Sequence, residues 1–254
     1  MVQESRQPSY IEGALAAGKG GARRIRLVAS AVAAAGLIAA AWPVTTAVGE
    51  NHHVTLKPLT LFEKSVAFID RDLAMRRLTR EIAGPGGTQQ ERLLRMYAWV
   101  GENIHEVPPG LPTVDDHVWH IFVRRYGAID QRAEALAALA TYDGMPASTI
   151  QLGESPHRRI VQLTVVSLGD RNVVFDVNNR IVFRRSTGEL ATLGELQENP
   201  GLIDANSGGL MVDGVPYRSH FSRLKDSRPD FSRMQKQRLL PRVKAELIDR
   251  LHGS

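Results

Sequence analysis

From Leu27 to Val48 the chain carries no charged side chain. A run of that length has two physical outlets. It can form a helix of the roughly 20 residues that cross the hydrocarbon core of a bilayer, or a helix buried in protein. Lys19, Arg23, Arg24 and Arg26 stand just before it, and Glu50, His52 and His53 just after. Positive charge on the N-terminal flank predicts a cytoplasmic N-terminus and a body across the membrane, with Trp42 as an interfacial anchor. A cleaved signal peptide is the rival reading, because Ala47-Val-Gly49 offers small residues where cleavage would fall. Both place the body outside the cytoplasm, and the absence of cysteine means no disulfide supports it there.

Beyond this segment the pattern is mixed. Val54 to Phe62 alternates apolar and polar residues around Pro58, which suits an edge strand. A helix is expected from about Glu63 to Ile82, stopped by Gly84-Pro-Gly-Gly87. Thr88 with Glu91 is a capping-box start for a second helix to about Ile104. Asp115 or Asp116 is expected to cap a short helix through Arg125. A small-residue helix follows from about Asp130 to Asp143, with Gly144 as its stop. Ser148–Leu152, Arg159–Leu168 and Asn172–Asp176 read as strands, with a turn at Gly169-Asp170 and one more strand at Arg180–Arg185. Residues 186–214 read as turns. The expected divisions are a cytoplasmic tail (1–26), a transmembrane anchor (27–48), a connector and helix (49–87), a core domain (88–200), and a turn-rich segment with a basic helix (201–254).

Four pieces carry the chemistry: Tyr126-Gly-Ala-Ile-Asp-Gln-Arg-Ala133, Gly144-Met-Pro-Ala147, Ser155-Pro-His157 and Val174-Phe-Asp176. In order and spacing they resemble the core of the transglutaminase-like, papain-like thiol enzymes, in the bacterial branch of that superfamily. The resemblance covers about residues 88–200. It implies an α+β fold in which helices pack on a small antiparallel sheet, beside the one N-terminal transmembrane helix. It also implies a nucleophilic cysteine where Ile129 stands, with His157 and Asp176 in the positions of its catalytic partners. The groove around Trp119, Ile129, Asp130, Gln131 and His157 corresponds to the surface that takes an extended peptide in active relatives. Ile129 has no nucleophilic atom and no proton to give, so His157 and Asp176 have nothing to activate. Members of such a site act as a unit, and loss of the nucleophile removes nearly all of the rate. The expectation is a pseudoenzyme with a groove made more apolar by Ile129, needing no cofactor.

Asp115-Asp-His-Val-Trp-His120 sets two histidines beside carboxylates, yet a catalytic zinc site wants three protein ligands and no second motif supplies the third. No metal is expected. From Arg218 onward ten basic residues face four acidic ones, an excess of six against a net charge of +5 for the whole chain. Leu239, Val243, Leu247, Ile248 and Leu251 recur there at helical spacing. Outside the cytoplasm a nucleic-acid partner is excluded. Anionic lipid, anionic glycan or an acidic protein remain as ligands for this basic helix, beside simple packing on the domain. The leading reading is a single-pass inner-membrane protein with a periplasmic, partner-binding domain. The alternatives are an envelope peptidase or acyltransferase using Ser155 or a metal-bound water at His117 and His120, and a purely structural membrane subunit.

Overall fold

A computed structural model describes residues 28–252 apart from 31, 32, 35, 39, 52, 153–160, 223, 225 and 226. The chain divides into two compact units, residues 1–46 with 57–66, and residues 47–56 with 67–254. The described positions from 28 to 40 are helical, and the chain then turns into strand β1 (Pro43–Glu50), whose residues from 47 onward belong to the second unit. β1 pairs with β2 (His53–Thr60), which forms the edge of a three-stranded sheet. The expected span over 27–48 is therefore corrected at its end. Pro43 lacks the N–H a helix needs, and Val44, Thr45, Thr46 and Val48 are β-branched residues that favour extended backbone. Among the described residues no helix is long and apolar enough to cross a membrane. Helix α1 (Leu61–Ala83) starts with a reciprocal cap in which Thr60 N donates to Glu63 Oε2 at 2.7 Å and Glu63 N donates to Thr60 Oγ1 at 3.2 Å.

The second unit is built around a four-stranded antiparallel sheet in the order β4 (Ala147–Leu152), β5 (Val161–Leu168), β6 (Arg171–Asp176) and β7 (Ile181–Val182). Side chains alternate across its pleat, and both faces are covered. Val166, Val173 and Phe175 join the helices α2 (Gln89–Asn103), α3 (Val118–Arg124) and α4 (Ile129–Tyr142) in one apolar core. Val165, Val174, Ile181 and Phe183 join a second core with Leu196, Ile203, Tyr217 and Phe221. That second layer comes in part from residues 186–214, the stretch expected to be turns, and in part from the residues just after it. It holds α5 (Leu193–Glu198), α6 (Gly201–Ser207) and the hairpin β8 (Met211–Val212) to β9 (Val215–Pro216). The missed signal is Thr192 with Glu195, a capping box of the same form as the Thr88–Glu91 box that starts α2.

Strand β3 (Val114–Asp115) pairs with the end of β1, Gly49 opposite Asp115 and Glu50 opposite Val114. Gly49 is needed for this approach, because a Cβ there would stand 2.9 Å from Asp115 Cβ. Asn51 completes the joint: its N–H donates to Thr113 O at 2.9 Å, and Thr113 N donates to Asn51 Oδ1 at 3.0 Å. The C-terminal segment forms α7 (Ser232–Gln235) and α8 (Leu239–His252), and Met234 is buried in the first core.

Candidate functional site

Helix α4 begins at the position the sequence marks for a nucleophile, with Ile129 as its first residue after Ala128. Alanine cannot cap a helix with its side chain, so Gln131 reaches back and accepts from Ala128 N at 3.1 Å. The other end of the Gln131 amide donates to Val114 O at 2.7 Å. Arg124 joins the same knot, donating to Val114 O at 2.9 Å and to Asp116 Oδ1 at 2.8 Å. Gly127 makes room for it, since a Cβ there would stand 3.0 Å from Gln131 Cβ. Gln131 is thus buried and ties α4 to β3, while Ile129 is half-buried and Asp130 exposed. Trp119, half-buried on α3, packs its ring against Phe122 at 6.4 Å.

Asp176 ends β6 with no solvent exposure at all. Its Oδ2 accepts from Tyr217 Oη at 2.5 Å and from Asn179 Nδ2 at 2.8 Å, while Oδ1 accepts from Asn179 N at 2.9 Å. A buried carboxylate needs such donors to offset its lost hydration. Asn178 carries the link onward, donating to Ile129 O at 2.9 Å. His157 and Ser155 lie outside the described residues. The sequence pointed to Asp176 but not to Tyr217, which is 41 positions away and carries no local signal. Asn179 was detectable as an Asx-type turn partner just after the strand.

Two tyrosines near Asp176 make a matched pair. Burial, then the negative charge of Asp176, push the phenols of both Tyr97 and Tyr217 well above their ordinary range. Tyr217 has a partner, whereas the Tyr97 hydroxyl is buried without one among the described residues. Tyr217→Phe should therefore cost about 2 kcal/mol, the typical worth of a hydrogen bond to a charged group. Tyr97→Phe should be neutral or stabilising by up to about 1 kcal/mol. Urea unfolding of both variants checks this, and equal losses would refute the assignment.

Among the described residues, His117 and His120 included, no group of three or more His, Cys, Asp or Glu that could hold a metal ion occurs. The expected cap at Asp115 or Asp116 is corrected: His117 caps α3, its Nδ1 accepting from Trp119 N at 3.1 Å. Asp116 is instead held by Arg124 at 2.8 Å and lies 3.3 Å from His120. Burial, then the positive charges of Arg71, His120 and Arg242, push the His117 imidazole from 6.5 down to about 4. Protonating Nδ1 would also destroy the cap. The folded state therefore prefers the neutral ring. Stability is complete above pH 6.5 and falls by about 3 kcal/mol as the pH drops toward 4. His117→Asn keeps a capping oxygen and should remove this loss. Unfolding curves across that interval decide it, and an unchanged acid dependence in the variant would refute the role.

One turn beyond Asp130, Glu134 is shielded on α4, and burial raises its carboxyl above the ordinary range despite the opposing charge of Arg233. Arg233 reaches it from the C-terminal segment in a close ion pair. The segment carrying Met234 thus packs on the helix that begins at Ile129.

No protein-family description matches this chain, and no curated protein matches it either. Two solved structures resemble part of it. One is a candidate cysteine protease from Cytophaga hutchinsonii, 14% identical over 48% of this chain and 41% of that one, with a TM-score of 0.37. The other is described as a TGase, 10% identical over 59% of this chain and 48% of that one, with a TM-score of 0.34. The resemblance spans less than half the length of each of those two solved chains.

Proposed function

We propose that this chain is a catalytically inactive, transglutaminase-like domain that binds a partner protein through the surface around Ile129. The observation that carries the reading is the arrangement of Asp176. Its carboxylate is held by Tyr217 and Asn179 as part of the scaffold, and Asn178 fastens it to a helix start that presents Ile129. An apolar side chain at that point cannot attack an amide, and it suits contact with an apolar anchor of a partner. The absence of any cysteine supports the same conclusion. In this reading the domain belongs to a bacterial cell envelope, on the periplasmic side of the inner membrane. The uncharged residues before Pro43 and the cations preceding them support that location. The partner is another envelope protein.

Two assays test the proposal. The full chain should show no peptide hydrolysis and no amine transfer to a glutamine peptide above the level of Asp176→Ala. Turnover that exceeds this background would overturn the inactive reading. Extended peptides selected by display against the full chain should bind Ile129→Glu at least about tenfold more weakly, a difference of about 1.4 kcal/mol. Selection of no ligand, or of ligands indifferent to Ile129, would overturn the docking surface.

A further inference from the structure

Among the described side chains of the C-terminal helix α8, large apolar ones stand exposed. Its root is fixed to the second unit: Asp72 Oδ1 accepts from Leu239 N at 3.0 Å, and the Tyr142 hydroxyl lies 2.9 Å from Gln237 O. Beyond this root Leu240 is 75% exposed and Val243 45% exposed. On α1, Leu73 follows Asp72 directly and is 60% exposed, while Ile69, one turn earlier, is 44% exposed. Large apolar side chains on both sides of one hydrogen-bonded joint are thus left to solvent, although packing on the domain would have been the ordinary fate of such a stripe.

We propose that the exposed apolar side of α8 is a contact surface for an anionic lipid bilayer. Charge identifies the occupant. Lys236 and Lys244 are exposed on the same segment, within a stretch from Arg218 that has ten basic residues against four acidic ones. An amphipathic helix of this kind buries its apolar side at the headgroup boundary while its cations meet anionic headgroups. Lysine serves well there, because its stem lies along apolar surface with the ammonium raised to the headgroups. A second copy of the chain would bring the same positive excess against itself, which opposes symmetric pairing. The surface does not include Ile129, so it can stand or fall independently of the partner-binding reading.

The chain has no cysteine, so Val243→Cys gives a unique attachment point for an environment-sensitive fluorophore. The full-length labelled protein is reconstituted with vesicles of phosphatidylcholine alone or with added phosphatidylglycerol. A blue shift with the anionic vesicles, reduced by high salt, is the expected result. A label on the exposed Thr187→Cys should not shift. Lys236→Gln with Lys244→Gln should weaken the anionic partitioning roughly thirtyfold, the effect of two such charges near a bilayer. Equal shifts on both lipids, or none, would overturn the proposal. So would a shift without lipid that grows with protein concentration, which would mean a second copy, or one produced by soluble heparin, which would mean a glycan.

Discussion

Phe175→Ala should destabilise the domain by about 3–5 kcal/mol, the range for emptying a fully buried aromatic site. Phe175 is completely buried on the helix-facing side of β6, with its ring centroid 5.3 Å from that of Tyr97. Its strand partner Thr164 donates its hydroxyl to Ala133 O at 3.0 Å, which holds this face of the sheet close to α4. Helix α4 contributes Ala135, Leu136, Ala137, Ala138, Leu139 and Ala140 to the same core. Urea denaturation should show a lower midpoint with an unchanged slope. A loss below about 1 kcal/mol would contradict the packing described for this face.

Asp72→Ala is expected to cost about 3 kcal/mol and to free the C-terminal helix. The Asp72 carboxylate accepts from Arg76 Nε at 2.7 Å and from Leu239 N at 3.0 Å, and the Tyr142 hydroxyl stands 3.1 Å away. Removing this buried acceptor leaves Leu239 N and Arg76 Nε without it, which is costlier than losing a single exposed ion pair. Burial raises the Asp72 carboxyl, but Arg76, the Leu239 N–H and Tyr142 outweigh it and leave the group below its ordinary value. The contribution is therefore present above the carboxylate range of the unfolded chain and lost as pH falls through the lower folded value. That is a more acidic window than the one assigned to His117. Faster proteolysis beyond Gln237, together with the stability loss, would establish the joint. A stable variant whose C-terminus stays protected would refute it.

Local signals suffice where local chemistry decides structure. Thr88 and Glu91 start α2 as a capping box, Gly144 ends α4 at a φ of +89°, and the strand expected over Arg159–Leu168 corresponds to β5 over Val161–Leu168. Such signals do not suffice where a distant group decides. Asp116 is a better capping residue than histidine by intrinsic preference, yet Arg124 claims it and His117 takes the cap. Gln131 belonged to a groove in the sequence reading, whereas its amide is spent on Ala128 and Val114. Tyr217 and Asp72 meet their partners across 41 and 167 positions, and no periodicity encodes such meetings. The uncharged run suggested helix through Val48 because absence of charge says nothing about the preference of Pro43 and the β-branched residues after it.

Strand β5 lies between β4 and β6, and its first six residues are buried on both faces. Its amide protons are out of reach of solvent unless the whole second unit opens. Deuterium uptake by that strand should therefore be the slowest in the protein, and its rate reads the global unfolding free energy directly. The edge strand β2, exposed along most of its length, should take up deuterium through local fraying instead. A single exchange experiment would in this way separate the part of the molecule that opens cooperatively from the part that breathes.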